Sequence, residues 1–293
     1  MNNQILGFIG GSGLYDIDFI KNKKAISIRS SFGKPSDKII EGKIGNQKVY
    51  FLSRHGRGHK LSPQEINYRA NIECLKKCNV TDLISLSAVG SLKEKLSPGT
   101  FVIVDQFIDK TQLREKTFFK DGIVAHVPMA KPTSKILMKL SLKVLKKLNI
   151  RNQYMGTYVA IEGPQFSTRS ESLLYKSWNA DVIGMTNMPE AKLAREAEMR
   201  YCSISMVTDY DCWHDNFESV DVEMLLKNLK NNSENALNFI KKFTYLYSKG
   251  IDFGADNTSS ILNNSIVTQK KYWKKDTRKK LKTILERYNK DNK

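Results

Sequence analysis

YCSISMVTDYDCW, residues 201–213, is the stretch whose reading decides the fold. Its apolar first half reads as a buried strand, and its second half pushes two carboxylates, Asp209 and Asp211, out at the carboxyl end. Open α/β sheets bind ligands at the carboxyl ends of their strands, so the pair stands where chemistry is done. Side chains of extended backbone repeat with period two, which puts both carboxylates on one side of the chain. A hydrogen-bonded, partly desolvated carboxyl can hold a proton for a departing group such as a basic nitrogen heterocycle. Asp-x-Asp after a strand is also a common turn and capping pattern, so the rest of the chain has to decide between the two readings.

Working outward, strands and helices alternate. Residues 5–9 form a short apolar run stopped by Gly10-Gly11-Ser12-Gly13, and residues 48–53, 82–88, 101–108 and 154–161 are rich in β-branched, aromatic or other apolar side chains. Ser62-Pro63-Gln64-Glu65 is a capping box with proline at the first helical position, predicting a helix to about Lys77. Helical spacing covers 134–148, Thr168 with Glu171 caps another helix, Pro189 begins one charged enough to be exposed on one side, and 222–246 gives one more. The expected fold class is α/β: a single domain over 1–249 with a mixed central β-sheet flanked by helices. Residues 250–265 are polar and glycine-containing, which predicts a polar linker before a basic C-terminal tail and makes 250–293 an appended helical extension.

Bulk properties narrow the class. With 40% hydrophobic and 10% aromatic residues in 293, the chain is globular rather than disordered. The opening MNNQILGFIGGSG breaks at glycines before any apolar run long enough for a signal or a membrane span, so a cytoplasmic protein without membrane contact is expected. Cys74, Cys78, Cys202 and Cys212 are too few and scattered for a disulfide framework, and no second Cys/His pair supports a metal site. The net charge of +18 admits a polyanion partner, and +8 of it lies in residues 270–293. There the spacing of Leu281, Leu285 and Tyr288, with Trp273 and Ile284, predicts an apolar stripe packed on the body in preference to a nucleic-acid contact.

Other strand ends carry anion donors. Gly10-Gly11-Ser12-Gly13 lacks the dinucleotide and P-loop spacings but offers backbone N–H groups and a hydroxyl. Ser53-Arg54-His55-Gly56-Arg57-Gly58-His59 sets cations on a glycine turn, where an arginine fork matches phosphate oxygens and a histidine gains a proton beside an anion. Ser85-Leu86-Ser87-Ala88-Val89-Gly90-Ser91 and Met185-Thr186-Asn187-Met188-Pro189-Glu190 add hydroxyls, the second at a helix N-terminus. Anion donors at four strand ends and paired carboxylates at a fifth predict a site for an anion plus a heterocycle.

IGGSGLYD, SRHGRGH, SAVGSL, DQFIDKT, IEGPQFSTRSES, DVIGMTNMPEAKLAREA and VTDYDCW, in this order over roughly residues 5–245, resemble the purine nucleoside phosphorylase family, and within it the branch that cleaves 5′-methylthioadenosine. The resemblance implies a homotrimeric α/β pentosyltransferase of purine and methionine salvage. In that reaction inorganic phosphate, a co-substrate, attacks C1′ of a nucleoside without organic cofactor or metal. Carried over by position, Ser12, Arg54, His55, Ser87, Ala88 and Thr186 bind phosphate, and Met185 packs on the ribose. Asp209, Tyr210 and Asp211 hold the purine, the two carboxylates being catalytic, and Phe166 lines the base pocket. Ser167 and Val222 stand where substrate choice is set, Val220, Leu225 and Leu226 suit an apolar 5′ group, and His126 reaches a neighbouring subunit's site. Relatives acting on 6-oxopurines carry Asn where this chain has Asp209, so the resemblance favours adenine. A broader purine nucleoside phosphorylase taking adenosine, inosine or methylthioinosine is the alternative, and binding of nucleic acid or an anionic surface through the tail is a remote third.

Overall fold

The computed structural model describes residues 4–11, 13–14, 17–215, 222–252 and 256–291, with side chains at 222–226 outside that description. Nine strands build one mixed sheet: β1 (Leu6–Gly10), β2 (Lys21–Ile26), β3 (Ile39–Ile44), β4 (Gln47–Ser53), β5 (Asp82–Ser91), β6 (Phe101–Asp109), β7 (Asn152–Ala160), β8 (Val182–Gly184) and β9 (Arg200–Tyr210). Their order is β2-β3-β4-β1-β5-β8-β7-β6-β9, and β9 returns to pair with β5. Strands β5, β8, β7, β6 and β9 therefore close on themselves, while β1, β4, β3 and β2 fan out from β5. The mixed α/β sheet expected from the alternation is present.

The central strands are apolar in succession because both faces are covered. Phe8, Phe51, Ile84 and Cys202 enter one core; their neighbours Ile9, Leu52, Leu83 and Tyr201 enter the other. Over the first core lie α2 (Lys135–Lys147) and α5 (Val222–Tyr247); over the second lie α1 (Tyr68–Lys77) and α4 (Asn187–Glu196). A smaller cluster of Leu92, Val159, Tyr175, Ile183 and Trp213 seats α3 (Arg169–Ser177). Among the described residues no helix is long and apolar enough to cross a membrane, and the four cysteines are buried free thiols.

Three local readings change. The Ser62–Glu65 box forms, with both the amide and the hydroxyl of Ser62 donating to Glu65, but it closes only a turn. Helix α1 starts at Tyr68, where Asn67 caps it by accepting from the Ala70 amide. Helix α4 is not a half-exposed helix: Glu190 and Glu196 are sunk, and only Lys192 and Arg195 are partly exposed. Its regular turns do begin at Pro189, since Met188 is extended at φ −117° and ψ 131°.

The third concerns the polar linker before the tail, while the apolar stripe of the tail packs on the body as its spacing predicts. Residues 257–264 form a 3-10 turn that carries Ile261 and Leu262 into the core, and the Leu262 amide donates to Glu198. Two short helices follow, α6 (Lys275–Lys280) and α7 (Glu286–Asp291), and the turn between them buries Leu281, Ile284 and Leu285 beside Trp273. Arg287 locks the end down with two 2.6 Å hydrogen bonds to Glu198. Body and tail thus share one core, with lysines left on the outside of an apolar anchor. Trp273 is 8% exposed, and its indole N–H donates to the Thr268 carbonyl. Trp273→Ala is expected to lower unfolding stability by about 3 to 5 kcal/mol; a urea midpoint unchanged from wild type would show the tail to be detachable.

Candidate active site

The site grows out of a gap beside β5. Strand β1 pairs with β5 as far as Gly10↔Leu86, with the Gly11 amide donating to the Leu86 carbonyl, and β8 takes over that edge only at Gly90 and Ser91. Ser87, Ala88 and Val89 are left with β9 alone as a strand neighbour among the described residues. A gap in the ladder at the carboxyl end of parallel strands exposes backbone donors to a ligand.

Arg54 closes the floor of this gap. It follows β4 and is fully buried. Its Nε donates to Glu190 at 2.9 Å, Nη2 to Ser85 Oγ at 2.6 Å and to Glu190 at 3.3 Å, and Nη1 to the Leu86 carbonyl at 3.1 Å. Four of the five guanidinium N–H groups are spent on the protein, and the last, on Nη1, lies beside Gly11. A Cβ on Gly11 would come within 2.9 Å of that nitrogen, so glycine is what lets the strand end sit against the cation. Glu190 also accepts from Ser85 Oγ and from the Tyr201 hydroxyl. Asn187 donates to Tyr201 and Ser203, and the Ser87 hydroxyl donates to Asn187. One buried network thus fixes Arg54, Ser87 and the start of α4.

Thr186 precedes that helix, 6% exposed, with its amide donating to the Tyr158 hydroxyl and its own hydroxyl not used as a cap. Arg114 pins the Met185 and Met188 carbonyls, the Tyr68 hydroxyl and Glu162, which fixes Met185 against Gly163. His55 differs from expectation. Burial and the neighbouring Arg54 charge push its imidazole down to about 4, so at neutral pH it carries no charge. Nδ1 meets the Leu61 carbonyl at 2.9 Å, which sets the proton there, and the ring stacks on His59 at 4.2 Å. The protonated donor expected of His55 is thereby replaced by a neutral imidazole whose Nε2 is an acceptor.

The carboxylates come next along the same strand. Asp209 lies opposite Gly90, after a one-residue bulge in β9. A Cβ on Gly90 would stand 3.3 Å from Asp209 Oδ1 and 3.4 Å from Asp211 Cβ, so both acids lie over that glycine, as period two predicts. Thr208 Oγ1 donates to Asp209 Oδ2 at 2.6 Å and Ser172 Oγ donates to Asp211, so α3 steadies the second acid. Burial, helped by the Asp211 charge, pushes the Asp209 carboxyl up to about 6 despite the Thr208 bond; burial also raises Asp211 against the Ser172 bond. From Ser87 to Gly90 is three residues of extended strand, about 10 Å.

Other residues stand apart. Tyr210 faces away from the acids, its hydroxyl on the Glu94 carbonyl and its ring stacked on His214 at 4.5 Å, because alternation turns it to the opposite side. Phe166 is 82% exposed rather than enclosed. Ser167 Oγ is buried without a partner among the described residues, and its carbonyl accepts from the Cys212 thiol. His126 is exposed, on a loop held by the tail: its amide donates to the Ser265 carbonyl and Ala125 bridges Ile266. Ser12 and Val220 lie outside the described residues, and so do the side chains of Val222, Leu225 and Leu226. Glu190, Asn187, Thr208 and Ser172 carry the geometry but were given no role by sequence reasoning, although MTNMPE and STRSES contain three of them.

Comparison with known proteins gives a consistent answer. A family model described as the phosphorylase superfamily matches residues 5–244. S-methyl-5′-thioadenosine phosphorylase of Rhodospirillum rubrum is 50% identical over 264 residues, 90% of each chain. That of Prochlorococcus marinus is 47% identical over 98% of this chain and 92% of its own. Among solved structures, methylthioadenosine phosphorylase sourced from an antarctic soil metagenomic library superposes with a TM-score of 0.91 at 43% identity, covering 97% of this chain and all of that one. Methylthioadenosine phosphorylase from Schistosoma mansoni in complex with adenine superposes at 0.85 with 33% identity, over 91% of this chain and all of that one.

Two stability outcomes follow from the geometry. Glu190→Ala leaves the Arg54 cation buried and unpaired, and a loss of about 3 to 5 kcal/mol in denaturant unfolding is expected; a loss under about 1 kcal/mol would mean water reaches that guanidinium. Asp209 acts in the opposite sense. Its folded pKa of about 6 lies above the ordinary 3.8, so the folded state holds a proton the unfolded state releases, and stability falls as pH rises between those values. Asp209→Asn is expected to be more stable than wild type above about pH 7, by up to ~3 kcal/mol, with the gap shrinking toward pH 4. Melting curves across that range showing a constant gap, or a less stable variant throughout, would refute the raised pKa.

Proposed function

The chain belongs to the phosphorylase superfamily, and we propose that it cleaves S-methyl-5′-thioadenosine with inorganic phosphate, giving adenine and S-methyl-5-thio-α-D-ribose 1-phosphate. The observation that carries this reading is that Arg54 and Ser87 meet where β1 leaves β5, with Thr186 next to the Asn187 that Ser87 bonds, and that Asp209 and Asp211 lie over Gly90 three residues further on; the first group suits an anion and the second a purine.

In the reaction phosphate oxygen bonds to C1′ as the bond from C1′ to N9 breaks, and the bonding pair leaves with the purine. Positive charge gathers on the ribose and negative charge on the base. A phosphate dianion beneath C1′ stabilises the first, and a proton shared from Asp209 to N7 relieves the second. The raised pKa suits this, since at pH 7 a group of pKa about 6 keeps about a tenth of its population protonated before any ligand arrives. Asp211, steadied by Ser172, is a carboxylate acceptor for an amino group, which favours adenine over a 6-oxopurine. Neutral His55 suits a ligand that brings its own proton, as hydrogen phosphate does. The reaction needs neither metal nor organic cofactor, and the exposed His126 and Phe166 suit an assembly, here a homotrimer, in which a neighbouring chain completes the pocket.

Purified protein is expected to release adenine from S-methyl-5′-thioadenosine only when phosphate is present, and to prefer it to adenosine and inosine run in parallel. Inosine as the better substrate would overturn the preference for adenine and with it the role of Asp211 as the acceptor for the amino group. Asp209→Asn is expected to lower kcat/KM for S-methyl-5′-thioadenosine by about 10²- to 10⁴-fold, and unchanged kcat/KM would remove the proton-donor role.

A further inference from the structure

Away from this site, helices α2 and α5 lie side by side over one core and present an unusual outer face. Every exposed residue of α2 is a lysine: Lys135, Lys139, Lys143, Lys146 and Lys147, and the helix carries no acid. Lys135, Lys139, Lys143 and Lys147 recur every four residues, a row of cations spaced about 6 Å apart along the axis and winding slowly around it, with Lys146 beside its end. Helix α5 and the residues after it add Lys227, Lys230, Lys241, Lys242 and Lys249, against Glu234 as the one carboxylate among the helix's described side chains. None of these ten lysines has a carboxylate partner among the described residues. A face of one sign raises the local concentration of anions and draws a polyanion toward it.

The end of the ridge supplies something other than charge. Tyr245 is 52% exposed, with Lys249 Nζ 4.6 Å and Lys242 Nζ 5.5 Å from its ring centre and the Lys147 charge nearby. Beside it Leu148, Asn238, Lys241 and Lys242 line a surface groove of about 350 Å³. In the sequence the lysines of 135–147 and the tyrosine at 245 are a hundred residues apart; packing of α2 on α5 joins them.

We propose that this face binds single-stranded nucleic acid, the lysine ridge following the phosphates and Tyr245 stacking on a base. Flexible lysines on a rigid ridge track a polyanion without reading sequence, and an exposed aromatic among cations is the stacking platform that unpaired bases require. A membrane surface fits less well, because the apolar sides of both helices are spent on the core and leave nothing to insert into lipid. A second copy of the chain bringing the same face would meet like charge.

The test titrates the full chain into a labelled single-stranded oligouridylate at several salt concentrations, following anisotropy. Saturable binding is expected, weakening as salt rises with a linear log–log slope. The triple change Lys139→Glu, Lys143→Glu, Lys147→Glu is expected to weaken binding at least tenfold at low salt and to reduce the slope by about 2, at roughly 0.7 per phosphate contact. Tyr245→Ala is expected to weaken it by about 5- to 100-fold with the slope unchanged. Both variants should retain wild-type nucleoside cleavage, which establishes that they fold. Absence of binding at low salt, or binding untouched by the triple change, would overturn the proposal. So would loss only with Lys271→Glu, Lys275→Glu and Lys279→Glu on the outside of the tail, or capture by phosphatidylserine vesicles with none by the oligonucleotide.

Discussion

The buried pair of Arg54 and Glu190 is the constraint to which the rest of the site answers. A cation fully out of water is tolerable only when its donors are matched, and Glu190, Ser85 and the Leu86 carbonyl match four of five. The match has consequences in three directions. It ties the turn after β4 to the start of α4, residues 136 apart, so the two loops facing the gap in β5 cannot drift independently. Through Tyr201 and Asn187 it reaches Ser87, setting the hydroxyl on the exposed edge of β5. And it leaves one N–H beside Gly11, so that a ligand meets a cation whose position is already fixed. Preorganisation of this kind is what electrostatic catalysis needs. A second buried pair, Arg200 with Asp82, bonded also by the Tyr247 hydroxyl, lies at the opposite end of the same strands and touches none of these groups. One pair serves the site and the other the frame.

At the acid end the balance reverses. Asp209 receives one hydroxyl hydrogen bond, from Thr208, too little to offset its burial beside a second carboxylate. The result is a group that destabilises the folded chain at neutral pH in order to hold a proton. A fold that gives Arg54 four hydrogen bonds and a carboxylate partner, and Asp209 a single hydroxyl, sets the two groups apart by environment as well as by residue type. The bulge in β9 at Thr208 is where this separation is made. Without the extra residue, Asp209 would lie one step further along β5 and on its other face.

How much of this was legible in the sequence depended on the length scale of the interaction. The alternation of strands and helices, the capping box at Thr168 and Glu171, and the shared side of Asp209 and Asp211 rest on contacts within a few residues, and period and propensity suffice for them. Helix α4 was misread because Glu190 and Glu196 look like surface residues until their partners are known, Arg54 for one, the Thr117 hydroxyl and Phe118 amide for the other. Ser62 gave the right hydrogen bonds and the wrong boundary, since Asn67 offers a second cap five residues on and is itself held to the Phe32 carbonyl. Tyr210 was grouped with the acids by motif, although its own period two sends it to the far side. His55 reads as a cation within a basic run, and the sequence does not show the burial that, with the Arg54 charge, pushes its imidazole down.

The tail shows the same limit from the other side. Helical spacing picks out Trp273, Leu281, Ile284 and Leu285 as the stripe that packs on the body, whereas Ile261 and Leu262, set among polar residues of a segment that reads as a linker, carry no such signal. Ile261, Leu262, Trp273, Leu281, Ile284 and Leu285 make a small share of the segment, yet they join the core that includes α1 and α4. What they hold in place is specific. The Val267 amide donates to the Val124 carbonyl, the Thr268 hydroxyl accepts from the Val124 amide, and Thr277 donates to the Asp121 carbonyl. Together with the bond from His126 to Ser265, these fasten residues 121–126 along their length to chain that lies some 140 residues further on. A loop carrying an exposed histidine is mobile by default; this one is stapled by backbone bonds on one side and by the Trp273 anchor behind them. The basic residues of the tail face outward because the apolar ones have turned inward, so its charge follows from the anchoring.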